Sequence, residues 1–224
     1  PKFRMGTSSS AYEDKAHLKT RLLKYVNWQQ QDFECLWDRF KELGLGFALS
    51  HDDLSVLMNE EDVRQIRDLF AVFDQETLDL IDVFEFVSSL ALCSRMTLRE
   101  KTCFIQNMYD FNDSSFFSFD EVTIIARSAL LGIAKADSNR RQETILPSSF
   151  QNFAHRCFQQ FSLDPDTDIS GDLIFEFCNK DAETLRFIEY CSGLLTPAII
   201  LESDGWIDVE WAASPQWLYL EPAR

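Results

Sequence analysis

Thr97–Ala129 reads TLREKTCFIQNMYDFNDSSFFSFDEVTIIARSA, and it holds two amphipathic helices joined by a polar loop. Thr97 and Glu100 stand at capping-box spacing, and Phe104, Ile105 and Met108 recur at helical spacing up to Asp110. Beyond the loop, Val122, Ile125, Ala126 and Ala129 fall at i, i+3, i+4 and i+7, an apolar stripe able to face the same core. Between them, Asp110, Asn112 and Ser114 alternate. Phe116 offers a backbone carbonyl, Ser118 an oxygen acting directly or through water, and Glu121 a bidentate carboxylate. An all-oxygen set at these intervals suits a hard divalent cation.

This pattern resembles the EF-hand superfamily, and within it the neuronal calcium sensor, calcineurin-B-like and calaxin-like four-hand proteins. The resemblance implies Ca²⁺ as the ion, and it implies that Phe117 forms a short antiparallel bridge with a partner loop. One slot departs from the pattern. Ser115 stands where glycine usually allows a positive φ, at a strain of about 1 kcal/mol.

Three further stretches fit the same unit. Phe33, Leu36, Trp37, Phe40 and Leu43 give an entering stripe. It leads to Gly44–Asp53, a shortened loop without acidic ligands, with Leu49 in the bridging slot and no ion expected. Val63, Ile66, Phe70 and Phe73 enter the next loop, and Val83, Phe86, Val87 and Leu90 leave it. There Asp74, Glu76, Asp82 and Glu85 occupy ligand slots and Ile81 the bridging slot. Leu78 removes one ligand and Asp79 replaces the glycine, so weak or absent binding is expected. In the last unit, Phe150, Phe153, Ala154, Cys157, Phe158 and Phe161 line the entering helix, with Ser148 or Ser149 as its cap. Its loop is read from Asp166, with Asp166, Asp168, Ser170 and Asp172 as ligands, Gly171 at the turn and Leu173 as bridging residue. Glu176 falls one position early, which leaves the cage open on one side.

The loop starts at Gly44, Asp74, Asp110 and Asp166 are separated by 30, 36 and 56 residues, the last step lengthened by the polar linker Lys135–Ser149. The expectation is an all-α fold of four helix-loop-helix units in two lobes, with short β-bridges of Leu49 to Ile81 and Phe117 to Leu173. Residues 1–16 form a flexible N-terminal segment, 17–96 one lobe, 97–192 the other, and 193–224 an aromatic, acidic tail. Within the first segment Met5, Gly6 and Ser10 spell the N-myristoylation pattern, which matters only if Met5 is the initiator; only then is membrane contact expected. From Asp181 a helix through Ala182, Leu185, Ile188 and Cys191 is expected to turn at Gly193. Trp206, Trp211, Trp217 and Tyr219 then either pack on the core or dock beside a groove.

Composition bounds the partners. A net charge of −16 disfavours nucleic acid and favours cations or basic segments, or else simply keeps a chain with 20 Phe soluble. Six cysteines without a CxxC pair read as free thiols, and the isolated His17, His51 and His155 suggest no catalyst, so no enzyme is expected. No apolar run is long enough to span a bilayer, and the expected address is cytoplasmic, with cytoskeletal or ciliary association. Two functions remain. One is a calcium-responsive adaptor that takes a partner's amphipathic helix in a Phe-rich groove. The other is a constitutive structural subunit of a cytoskeletal or axonemal assembly with no physiological ion. With 4 Met against 20 Phe, the groove suits one dedicated partner.

Overall fold

The computed structural model describes residues 22, 25–60, 62–137 and 147–194. The N-terminal segment with its Met5–Ser10 motif, the middle of the linker, and the tail with Trp206, Trp211, Trp217 and Tyr219 lie outside the described residues. Between residues 17 and 28, Leu22, Tyr25 and Val26 are helical and buried.

The described chain is all-α. In order it runs α1 (Gln30–Leu43), β1 (Ala48–Leu49), α2 (His51–Met58), α3 (Val63–Phe73), β2 (Ile81–Asp82) and α4 (Val83–Cys93). It continues as α5 (Leu98–Tyr109), β3 (Phe116–Phe117), α6 (Phe119–Ala136), α7 (Pro147–Gln160), β4 (Ile169–Ser170), α8 (Gly171–Lys180) and α9 (Ala182–Leu194). The strands are two residues long and pair antiparallel, β1 with β2 and β3 with β4.

One local device repeats through the chain. An apolar, buried bridge residue is followed at once by an oxygen-bearing residue that caps the outgoing helix: Leu49 by Ser50, Ile81 by Asp82, Phe117 by Ser118 and Ile169 by Ser170. The capping oxygen accepts from the orphan amides of the first turn, so strand ends and helix begins without a gap. The Thr97 and Glu100 box forms as expected and starts α5.

The register differs from expectation at the second bridge. Leu49 pairs with Ile81 as read, but Phe117 pairs with Ile169, four residues before Leu173. Ile169 is fully buried and β-branched, and Ser170 behind it caps α8. Leu173 by then lies inside the helix. Helix α7 is described over Pro147–Gln160, and what immediately precedes Pro147 lies outside the described residues. Gly193 lies within α9 and is not a turn, and the buried face of that helix is Thr184, Phe187, Cys191 and Leu194.

The buried apolar residues form one cluster that takes in members from Leu22 to Leu194. Its centre is α4, buried at every one of its residues, Glu85, Ser88 and Ser89 included. Helix α4 lies along α6 and also packs against α5 and α9. An amphipathic stripe alone does not anticipate this; α4 is enclosed on all sides. Val63, expected in the entering stripe of α3, is 56% exposed, while Leu69 and Val72 take the buried positions.

Candidate functional site

The third loop closes on itself. Asp110 accepts from the amide of Ser114 through Oδ1 and from that of Ser115 through Oδ2, both at 2.9 Å. Asn112 Oδ1 accepts from the same Ser114 amide at 3.0 Å. The Ser114 hydroxyl faces the Phe116 carbonyl at 3.1 Å. Asp113 and Ser115 adopt φ of 53° and 57°. Glu121 Oε2 receives the Ser118 amide and hydroxyl, both at 2.8 Å, and Ser118 Oγ accepts from the Glu121 amide. Asp110, Asn112, Ser114 and Phe116 are thus gathered around one short turn. Glu121 is folded back as the capping partner of α6. The donors are all oxygens and fit a hard cation; Glu121 must give up Ser118 to join them.

The fourth loop does not bring its expected ligands together in the expected way. Ser170 is the N-cap of α8, its oxygen accepting from Leu173 N, and Asp172 is in the first turn, 3.4 Å from Arg99. Asp166 and Asp168 precede the bridge. The Asp166 amide donates to Asp164 Oδ1. Gly171, expected at a turn, is helical, and its value is closeness: a Cβ there would stand 2.6 Å from Gln106 Oε1. Gln106 Nε2 donates to the Gly171 carbonyl at 3.1 Å, and the Gly171 amide donates to the Ser115 carbonyl at 3.0 Å. Gly171 therefore locks the two paired loops together.

The second loop repeats the geometry of the third and uses its carboxylate differently. Asp74 accepts from the amides of Leu78 at 2.8 Å and Asp79 at 3.1 Å, and Thr77 and Asp79 hold φ of 54° and 57°. Asp82 caps α4 through the amides of Phe84 and Glu85. Glu85, read as the closing ligand, points instead at α6. Its Oε2 lies 2.8 Å from Lys135 Nζ and its Oε1 3.8 Å from Arg127 Nη1. The 2.8 Å approach is an ion-pair distance, although Oε2 has no partner of hydrogen-bond geometry. At the same crossing, a Cβ on Gly132 would stand 2.1 Å from the Glu85 carbonyl oxygen. Burial explains the choice: a carboxylate enclosed between two helices must pair with a cation there. The sequence signal was Gly132 itself, a lone glycine inside an apolar helix that marks close backbone approach. In the first loop, where no ion was expected, Ser50 and Asp53 form a capping box, and the Ser50 hydroxyl and amide hold the Asp53 carboxyl below its usual range.

Beneath the third loop lies an apolar pocket. It encloses about 80 Å³ and is bounded by the end of α4 and by α5, α6, α7, α8 and α9. Ile105, Val122, Ile125, Phe153, Ile174 and Phe187 give it its character. Helix α9 forms one wall and is tied by polar contacts. Arg156 on α7 reaches Asp181 and Glu183, the Tyr190 hydroxyl donates to Asp137, and Lys101 Nζ donates to Ser192 Oγ and the Leu92 carbonyl, each at 2.6 Å. Burial of the Lys101 ammonium lowers its pKa from the ordinary lysine value, opposed by the neighbouring Cys191 and Cys93 thiols.

Compared with family models and with curated proteins, the chain matches none. Among the described residues no three His, Cys, Asp or Glu side chains converge as a metal cluster, and no helix is long and apolar enough to cross a membrane.

Proposed function

We propose that this chain is an EF-hand-type protein that binds a partner protein, with its third loop as the ion-responsive element. The observation that carries the reading is continuity: α5 enters the third loop, α6 leaves it, and both helices line the apolar pocket. What happens at Glu121 therefore reaches the pocket through the first turn of α6. Asp110, Asn112, Ser114, the Phe116 carbonyl and Glu121 would hold the ion. Ca²⁺ would supply positive charge at the N-terminus of α6. The remaining loops are committed elsewhere: Glu85 to Lys135, Ser170 to its helix, the first loop to its capping box.

The pocket is small and its walls are apolar side chains carried on helices. An amphipathic helix of a partner, anchored by apolar residues at i, i+3 and i+4, is the matching shape. Helix α9 already lies against this site, with Thr184, Phe187 and Ile188 lining it, so the partner either extends α9 or displaces it. The second reading, a constitutive structural subunit of a larger cytoskeletal assembly, draws its support from Glu85, whose ion pair makes the second loop a brace.

Calorimetric titration of chelator-treated protein with Ca²⁺ and then Mg²⁺, beside Glu121→Gln, separates the two. Micromolar binding that disappears in the variant supports the ion-responsive adaptor. No heat up to millimolar Ca²⁺ eliminates it and leaves the structural subunit.

A further inference from the structure

The described residues carry an aromatic surface that the pocket does not use. Phe47, in the first loop, is 55% exposed and Phe111, in the third, is 67% exposed, and their ring centroids are 6.0 Å apart. Both rest on Phe84 at the start of α4, at 5.1 Å and 6.2 Å. Phe84 is itself buried against Trp37 at 5.5 Å and Tyr109 at 4.6 Å, and Phe40 stacks behind Phe47 at 6.3 Å. The backbone beneath is pinned, since the Phe47 carbonyl accepts from the Val83 amide at 2.9 Å. Single exposed rings are ordinary, but two in mutual contact over a buried aromatic stack make a preorganised surface.

We propose that this Phe47–Phe111 platform docks a basic segment of a partner protein, an arginine lying over the ring faces and a neighbouring apolar side chain filling the step between them. Charge selects the occupant. Asp110 and Asp113 flank Phe111, Asp82 pairs across from Ala48 beside Phe47, and the whole chain carries −16. A cation over an aromatic face gains from the ring quadrupole and from nearby carboxylates together, and the flat guanidinium stacks best. The same field repels anionic lipid and nucleic acid. The protein makes such a contact within itself: the Arg99 guanidinium lies 4.8 Å from the centroid of Phe175. The proposal is independent of the pocket, whose lining includes neither ring.

The probe is a fluorescein-labelled hexapeptide of alternating arginine and leucine, followed by anisotropy against the full chain, with a glutamate–leucine counterpart. Phe47→Ser and Phe111→Ser each weaken binding about fivefold or more, and the double variant abolishes it. Ile124→Ser, which removes another exposed apolar side chain on α6, leaves binding unchanged, and unaltered melting curves establish fold integrity in every variant. All variants keep the net charge, so a loss reports the rings and not bulk attraction. Equal affinity in the double variant, or equal binding of the acidic peptide, overturns the proposal. So does a concentration-dependent dimer that vanishes in the double variant, which assigns the surface to a second copy of this chain.

Discussion

Asp74 and Asp110 open loops with the same backbone. In each, the aspartate accepts two amides four and five residues on, and positive φ recurs at Thr77 and Asp79 in one and at Asp113 and Ser115 in the other. Each ends in a bridge residue, a helix cap and a glutamate three residues after the cap. There the likeness stops. Glu121 is half-buried and bonded only to its own cap, Ser118, whereas Glu85 is 4% exposed and paired with cations of another helix. The difference teaches that loop shape is maintained by side chain to backbone hydrogen bonds, and that it survives a change of use in the residue closing the loop. What the glutamate does depends on what packs against the outgoing helix, and α4 is enclosed while α6 has an exposed side.

Gly132→Ala tests the enclosure of α4. The added methyl meets the Glu85 backbone at 2.1 Å, with no flexible side chain to yield, so the helices must separate. A loss of about 3 kcal/mol is expected in urea unfolding. Gly193→Ala, with open space around it, is the control and should stabilise by about 0.5–1 kcal/mol. Equal effects at the two sites would show that α4 and α6 are not in close contact.

Glu85→Gln comes next. It keeps the shape but leaves Lys135 without its partner at the crossing, at a cost of about 2 kcal/mol in the same assay, while leaving any Ca²⁺ heat unchanged. A change in that heat would return Glu85 to the ligands of the second loop.

Cys93, at the end of the same helix, sharpens the contrast through pH. Burial pushes its thiol from 9.0 up to about 12, aided by Asp137 and opposed by Lys101. The folded state therefore holds this proton more tightly than the unfolded one. Stability from the group is complete below pH 9 and is lost as pH rises towards 12, by about 1.4 kcal/mol per pH unit. Cys93→Ala should flatten the alkaline slope of unfolding free energy by that amount.

Much of this arrangement was legible in the sequence because it is local. The α5 stripe, the α1 stripe from Phe33 to Phe40, the Thr97 box, and the Leu49 to Ile81 bridge depend on residues a few positions apart and form as read; Leu43, at the end of the α1 stripe, is exposed, and Phe161 lies beyond the end of α7. Glu85 was misplaced because its partners, Arg127 and Lys135, lie some forty and fifty residues away, and spacing within a loop carries no trace of them. The fourth loop failed for a different reason. Its acids Asp166 and Asp168, with Gly171, imitate a ligand pattern, and that pattern outweighed the stronger physical mark, an apolar residue followed by a capping oxygen. Ile169–Ser170 has this mark, as do Leu49–Ser50, Ile81–Asp82 and Phe117–Ser118. Register follows the bridge and the cap because they satisfy backbone groups in every state of the loop. Lys101 had no signal at all; its partners are a carbonyl at the end of α4 and a serine on α9.

The smallest effect discriminates best between the two loops. Ser115 and Asp79 hold the same φ of 57°, and glycine at either position removes the cost of a side chain in the left-handed region. Aspartate tolerates that region better than serine, so Ser115→Gly should gain about 0.5–1 kcal/mol and Asp79→Gly less. Neither change touches a helix contact or a cap. If the third loop alone responds to an ion, relief at Ser115 should also tighten Ca²⁺ binding, since a loop already at ease in its turn spends less on ordering its donors. Relief at Asp79 should leave Ca²⁺ binding where it was, because Glu85 stays with Lys135 however relaxed the turn before it becomes. A matching gain in Ca²⁺ affinity at both positions would mean that the second loop has kept a working site without its glutamate.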